Sequence, residues 1–191
     1  GDGEWPSGER TSSVVCGVVT LGAPHFPPPA GSPPCATRGA LAFCDEQLPG
    51  ALLASEGVAY VTVAGAAITG NQQRPSDGAA AYDPTVPARE MLAEGGAAPT
   101  EADEVYARRG EGSAARVAFT NYQALAGDGG ALGDGVIPME WAHLEGAEQI
   151  TLEGVLHSIN EAGTTLPTER WYGSEAVVDR WLTRTLELLS E

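Results

Sequence analysis

The sequence predicts an α/β protein with a mostly parallel sheet and flanking helices. Two continuous runs of β-branched residues, VVCGVVTLG at 14–22 and VAYVTVAGA at 58–66, are typical of strands that are buried on both faces. Segments of helical composition separate the strands, as the connections in a parallel sheet require. Because three strands are few for such a sheet, we expect its other strands to lie before residue 1.

The third strand is predicted at 147–155 (AEQITLEGV), where polar and apolar residues alternate. One helix is expected at 37–48, before a Pro-Gly stop, and another at 113–127, which ends in glycine. The last helix has the clearest pattern, because Ser174 can cap it and Glu175 suits the positive end of its dipole. The residues that recur at helical spacing on its expected inner face are Val178, Trp181, Leu182, Thr185 and Leu189.

The chain is expected to be a single, incomplete domain over 1–191, since this length suffices for one hydrophobic core. Within it, residues 67–112 lose all periodicity and become rich in Gly, Ala, Pro and acidic residues. One short helix is expected there, around PAREMLAEG at 87–95. So long an insertion is usually functional or disordered, and we expect it to form a cap-like region.

The charge balance excludes several classes of partner. The chain carries 10 basic and 26 acidic residues, for a formal net charge of −16. Nucleic acid and anionic lipid surfaces repel such a chain, so neither is an expected partner. No apolar run is long enough to span a bilayer, and no transmembrane segment is predicted.

The cysteines and histidines give no sign of a metal or another cofactor. Cys16, Cys35 and Cys44 make an odd count without CxxC spacing, which argues against a disulfide framework and a zinc site. Neither HxH nor HExxH spacing is present. Cys16 is expected to be a small buried hydrophobe, and a reduced, cytosol-like or stromal compartment is a simpler expectation than a pairing of Cys35 with Cys44.

An acid and a histidine are placed to meet at one edge of the predicted sheet. Asp134 lies between two glycines in GDGVIP, and His157 follows the strand at 147–155. In a parallel α/β sheet, residues just past the strand ends collect along one edge, where sites form. A carboxylate that accepts the Nδ1–H of an imidazole fixes its tautomer and leaves Nε2 able to act as a base.

Each of these residues also has a structural interpretation. Asp-Gly is a common turn dipeptide, so Asp134 considered alone favours a turn over a site. His157 alone could be a half-buried packing residue. The two together, after this strand, favour a functional interpretation.

Three stretches carry a resemblance to a known family. VVTLGAPHFPPP resembles the strand after the nucleophile helix in α/β-hydrolase-fold lipases and esterases, where a Thr/Ser-x-Pro-His element closes the strand. GDGVIPMEWAHLEGAEQITLEGVLHS is similar to the segment that supplies the acid and then the histidine. With RWYGSEAVVDRWL, both resemble plant and algal hydrolases related to the lipase and GPI inositol-deacylase-like group. The resemblance covers both ends of the chain and little of 67–112.

The resemblance implies the C-terminal portion of an α/β-hydrolase fold. It implies that Asp134 is the triad acid and His157 the general base. It also implies that the predicted strands at 14–22, 58–66 and 147–155 are the last three of the sheet.

The nucleophile of that family is not recognisable in these 191 residues. It is a serine in G-x-S-x-G on a strand-to-helix turn. Ser32, Ser113 and Ser174 each follow a glycine directly but lack the flanking glycine pattern. The family's order places the nucleophile and the oxyanion-hole loop before Gly1, so both are expected upstream.

Other residues near these motifs have weaker claims. His25 ends the first predicted strand and is expected to be structural. His143 could line the pocket or act in place of the downstream histidine. Trp141, Trp171 and Tyr172 are expected to pack at the ends of elements, and Trp141 could contribute to an apolar wall for an acyl chain.

Two functions follow from these observations. The first is a serine-type ester hydrolase of the lipase or esterase kind, acting on a small-molecule or lipid ester. The second is a non-catalytic, hydrolase-like interaction domain that has kept the fold and lost the serine. A dehydrogenase is disfavoured because no G-x-G-x-x-G opens a helix after a strand. We expect the 191-residue chain alone to hydrolyse no ester.

Overall fold

The computed structural model describes residues 14–31, 39–72, 101–160 and 167–190, and at 101–113 it describes the backbone alone. In chain order the elements are β1 (Gly17–Leu21), α1 (Ala40–Gln47), a 3₁₀ turn (Ala54–Glu56), β2 (Ala59–Ala66), β3 (Ile68–Thr69), α2 (Glu101–Ala126), β4 (Leu132–Gly133), a second 3₁₀ turn (Met139–Ala142), β5 (Glu148–Glu153) and α3 (Glu175–Leu188).

The molecule is a mixed α/β protein with a three-stranded parallel sheet in the order β1-β2-β5. Both pairings are parallel, and in the middle of the sheet Val63 lies between Leu21 and Ile150. The three predicted strands and their parallel direction are therefore confirmed, each slightly shorter than expected. β3 and β4 form a separate antiparallel pair at the end of β2.

The core lies on both faces of β2. On one face Val61 and Val63 pack with Leu152, Tyr172 and Val177. On the other face a smaller cluster contains Ala64, Ile137 and Ala142. β2 is covered on both sides, which explains why most of its residues are apolar. Each fully buried valine side chain stabilises the fold by about 1.5–3 kcal/mol.

β1 differs from the expectation of a central strand buried on both faces. It is an edge strand of the described sheet, none of its five residues is buried, and Val19 is 37% exposed. Cys16, expected to be buried, is exposed. The prediction failed because an apolar run reports how well a strand tolerates burial and not whether a neighbour covers it.

α2 is longer than the helix predicted at 113–127, since its 26 residues begin at Glu101, inside the expected insertion. The helix continues through Gly110 and Gly112, and each helical glycine costs about 1 kcal/mol relative to alanine. This composition concealed the start of the helix. The helix expected at 87–95 lies outside the described residues.

α3 begins where the sequence placed it, but its first turn is held differently. Ser174 occupies the N-cap position, yet its hydroxyl donates to the carbonyl of Glu169 (2.6 Å) and caps no helical N–H. Of the expected inner face, Thr185 is buried and Trp181 packs against the core, whereas Val177 is buried in place of Val178. No described helix is both long enough and apolar enough to cross a membrane.

Candidate active site

Asp134 is held beside the carboxyl end of β2 by the short β3–β4 pair. Ile68, which closely follows β2, pairs with Gly133. The N–H of Ala67 also donates to the carbonyl of Gly133 (2.8 Å). These contacts fix the backbone immediately before Asp134, so the carboxylate projects over the end of the parallel sheet, where sites in such sheets form.

One carboxylate oxygen of Asp134 closes a tight turn. Its Oδ1 accepts the N–H groups of Val136 (2.9 Å) and Ile137 (2.7 Å), and the N–H of Asp134 donates to the carbonyl of Ile137 (3.2 Å). The residue is only 1% exposed. The turn interpretation of GDG is therefore correct, and it explains the hydrogen bonds of one of the two carboxylate oxygens.

The other oxygen binds His157. Asp134 Oδ2 lies 2.8 Å from His157 Nδ1, and the backbone N–H of His157 donates to the carbonyl of Asp134 (3.0 Å). The contact expected from the sequence is thus present, while the catalytic role of the two residues stays a prediction. The hydrogen bond, helped by the negative charge of Asp134, raises the pKa of His157 against the opposing effect of burial.

The second ring nitrogen of His157 faces outward. Because Nδ1 donates to a carboxylate, the neutral ring carries its proton there and Nε2 is the acceptor. The side chain is 34% exposed, and Nε2 has no hydrogen-bond partner within the described parts of the chain. The imidazole is therefore oriented by the protein at one nitrogen and open at the other.

Tyr172 is a member of the site that sequence reasoning missed. Its hydroxyl donates to Asp134 Oδ2 (2.9 Å) and accepts the N–H of Gly65 in β2 (2.7 Å). Its ring meets the ring of His157 edge to face, with centroids 6.3 Å apart. Burial, followed by the Asp134 charge, raises the pKa of Tyr172, so the hydroxyl remains a donor. From the sequence, this residue was expected only to pack at the end of an element.

A second buried tyrosine supports the acid loop without touching the carboxylate. Tyr122, from α2, accepts the N–H of Gly135 (2.7 Å) and donates to the carbonyl of Ile68 (3.2 Å). Asn121 donates to the carbonyl of Gly135 (2.9 Å). Burial is the main cause that raises the pKa of Tyr122. α2 thus anchors the turn at Gly135, through its backbone, and His157 binds the carboxylate.

Two glycines allow the sheet to approach the acid. A Cβ on Gly22, which has φ +58°, would lie 2.5 Å from Asp134 Oδ2 and 2.9 Å from the Tyr172 ring. A Cβ on Gly65 would overlap the carbonyl oxygen of Val155 and lie 2.9 Å from Asp134 Cβ. Neither position has room for a side chain, so both glycines are part of the site's construction.

The other two histidines lie among threonines. His25 Nε2 is 3.0 Å from Thr20 Oγ1, and His143 bridges Thr62 (3.3 Å) and Thr151 (3.0 Å). Burial lowers the pKa of both, with a further effect of the His143 charge on His25. Neither ring contacts a carboxylate among the described residues. The structural interpretation of His25 fits these contacts, while His143 lacks the acid that an alternative base would need.

The remaining candidates lie apart from the pair. The ring of Trp141 packs edge to face on Phe26, with centroids 6.1 Å apart, and its Nε1 is buried without a partner. Ser174 is bonded to a backbone carbonyl, whereas Ser32 and the side chain of Ser113 fall outside the described residues. In the described residues, no group of three or more His, Cys, Asp or Glu side chains is placed to hold a metal ion.

The geometry defines an oriented imidazole that can accept a proton at Nε2 and return it. Among the described serines, none lies at hydrogen-bond distance from that nitrogen. No family model, no curated protein and no solved structure matches this chain.

Proposed function

We propose that the chain supplies the acid and the histidine of a serine-type ester hydrolase, with the α/β-hydrolase fold that its motifs resemble. The nucleophilic serine and the oxyanion hole come, in this proposal, from residues outside these 191. The substrate is a carboxylic ester, either a small molecule or a lipid acyl ester.

One observation carries the proposal: the 2.8 Å hydrogen bond from His157 Nδ1 to a carboxylate oxygen of the buried Asp134. The remaining oxygen of Asp134 is saturated by two backbone N–H groups, so the carboxylate cannot turn away from the ring. Burying a carboxylate costs free energy unless its oxygens are hydrogen-bonded, and both oxygens of Asp134 are hydrogen-bonded here.

The mechanism follows from the open nitrogen. Nε2 of His157 takes the proton of a serine hydroxyl as the oxygen attacks the ester carbonyl, and the imidazolium then gives that proton to the leaving alkoxide. The Asp134 carboxylate stabilises the imidazolium and keeps the tautomer that leaves Nε2 unprotonated beforehand. A water molecule activated by the same nitrogen completes the cycle by hydrolysing the acyl intermediate.

The test compares two polypeptides: the 191-residue chain, and a longer one that includes the natural residues preceding Gly1. Hydrolysis of p-nitrophenyl butyrate is measured for both. We expect turnover from the longer polypeptide only, and a loss of about 10⁴-fold in kcat when Asp134→Asn or His157→Gln is introduced.

Matched controls come from the chain itself. Asp128 also accepts a backbone N–H in a turn, from Gly130 (2.9 Å), but it lies outside the site, so Asp128→Asn should retain full activity. His143→Gln is the corresponding control for the histidine. An active longer polypeptide that is indifferent to Asp134→Asn and His157→Gln would overturn the proposal.

The second candidate, a non-catalytic interaction domain, is favoured by two observations. The 191 residues contain no G-x-S-x-G, and α1 with the loop after it exposes the side chains of Phe43 (63%), Leu48 (55%) and Leu52 (46%). A preceding segment with Ala or Gly at the nucleophile position, and no labelling of the longer polypeptide by a fluorophosphonate, would support this function instead.

A further inference from the structure

Two donors converge on one oxygen of Asp134. The Nδ1–H of His157 reaches Oδ2 at 2.8 Å, and the hydroxyl of Tyr172 reaches the same atom at 2.9 Å. The two aromatic rings stand nearly perpendicular, at 86°. The negative charge on Oδ2 is therefore divided between the imidazole and the phenol.

The hydroxyl of Tyr172 is strengthened as a donor by its own acceptor contact. The N–H of Gly65 donates to it at 2.7 Å, and a hydroxyl that accepts one hydrogen bond donates more strongly in the next. The chain of contacts runs from the β2 backbone through Tyr172 and Asp134 to His157. All of its inner members are buried, where such interactions are least weakened by water.

We propose that Tyr172 is a positioning residue of the site: its hydroxyl shares Oδ2 with the imidazole, weakens the stabilisation of the imidazolium by Asp134, and so leaves a larger fraction of His157 neutral and able to accept a proton. This inference rests on the proposed function, since neutrality matters only if the ring acts as a base. A carboxylate that gave its whole charge to the imidazole would hold the ring protonated, and a protonated ring accepts nothing at Nε2.

The surroundings contain few other groups that could produce the same effect. The titratable groups of the described residues that face Tyr172 are Asp134, His157 and Tyr122, of which Tyr122 acts only through space. Tyr122 is therefore the natural control, because it is a buried tyrosine bonded to the acid loop through Gly135 and not to the carboxylate.

The experiment is an NMR titration of the His157 ring in the 191-residue chain, assigned with His157→Gln. Tyr172→Phe removes the competing donor, and we expect the titration midpoint of His157 to move to higher pH. Tyr122→Phe removes an equally buried hydroxyl and should leave the midpoint unchanged. A midpoint that stays or falls in Tyr172→Phe, or that rises equally in both variants, overturns the inference.

A second variant covers the case in which Tyr172→Phe does not fold. Site-specific 3-fluorotyrosine at 172 keeps the hydroxyl and makes it more acidic, hence a stronger donor to Asp134. The midpoint of His157 should then move to lower pH, and an unchanged midpoint overturns the inference.

The longer polypeptide adds a functional readout. The acid limb of its kcat profile should move to higher pH in Tyr172→Phe, while kcat at alkaline pH is kept within a few-fold, which a loss of packing alone would not produce. Complete inactivity of every longer form would count against the proposed function. The NMR midpoints would still decide the role of Tyr172.

Discussion

Asp134 serves structure and site with different atoms. Oδ1 closes the turn through two backbone N–H groups, and Oδ2 receives His157 and Tyr172. The choice between a turn residue and a catalytic acid is therefore not exclusive, since the turn is what holds the acid still. A carboxylate fixed in this way spends no free energy on reorientation when its partner becomes charged.

The close packing around Asp134 leads to a prediction for Gly65. In Gly65→Ala the new methyl group meets the Val155 carbonyl and Asp134 Cβ, so we expect unfolding to become easier by about 1–3 kcal/mol. Gly130→Ala, whose nearest neighbour would be the Asp128 carboxylate at 3.4 Å, should change stability by less than about 0.5 kcal/mol. Urea denaturation followed by circular dichroism gives both values, and equal values would show that the strand has room at this point.

The sequence was informative about the site where the signal is local. Asp134 carries a turn signature and His157 follows a recognisable strand end, so the parallel sheet that joins them could be anticipated. Tyr172 lies 38 residues beyond Asp134 in a segment of ordinary packing residues. Nothing in its neighbours marks a hydroxyl that bonds a buried acid, because that bond is made by tertiary packing alone.

α3 links the hydrophobic core to the site. Val177 packs in the cluster that contains Tyr172, and the indole N–H of Trp181 donates to the backbone carbonyl of Tyr172 (2.9 Å). Thr185 then donates to the carbonyl of Trp181 (2.9 Å). The helix thereby fixes the backbone that presents the Tyr172 hydroxyl to Asp134, although no residue of α3 itself touches the carboxylate in the described contacts.

A pair of substitutions on α3 separates its two faces. Val177 is 3% exposed and Leu186 is 54% exposed. We expect Val177→Ala to lower the free energy of unfolding by about 1–3 kcal/mol, because it leaves a cavity beside the sheet. Leu186→Ala should change it by less than about 0.5 kcal/mol. Thermal or urea unfolding measures both, and a similar loss from Leu186→Ala would mean that the exposed face is covered in solution.

Among the helices and strands, the predictions failed where burial or length depends on tertiary packing and not on the local sequence pattern. β2 and β1 have similar apolar sequences, yet β2 is central and buried while β1 lies at the edge of the described sheet. In α2 the glycines at 110 and 112 interrupt the composition but not the helix, whose later part is held by Tyr122 and other buried residues. Local propensity is a weak prior in both cases, and packing decides.

The net charge of the 191-residue chain would favour neutral substrates for the proposed hydrolase. The formal net charge is −16 and the sequence pI is about 4.4, so an anionic ligand is repelled before it reaches the site. A neutral ester carries no such penalty. We therefore expect the longer polypeptide to hydrolyse an uncharged p-nitrophenyl ester faster than one with a terminal carboxylate, by a ratio of kcat/KM that shrinks as NaCl is added. A ratio independent of salt would show that the surface charge has no part in the choice.

The histidines make the free energy of unfolding depend on pH in opposite directions. Burial lowers the folded-state pKa of His25 and His143 below 6.5, so their neutral forms are favoured by folding. His157, bonded to Asp134, has its folded-state pKa raised above 6.5, so folding favours its protonated form. By linkage, the first two destabilise the fold as pH falls below 6.5, because the unfolded chain binds their protons first. The contribution of His157 is fully present below 6.5 and is lost as pH rises through its folded-state pKa.

These opposite effects can be measured separately. Urea denaturation between about pH 5 and pH 8 would compare the parent chain with His157→Gln and with the double variant His25→Gln/His143→Gln. Relative to His157→Gln, the parent should lose its advantage as pH rises, because the imidazolium that Asp134 stabilises is then deprotonated. Relative to the double variant, the parent should lose stability as pH falls, because the unfolded chain takes up protons that the buried rings resist. Two difference curves with the same slope would mean that Asp134 does not hold a charged His157 in solution.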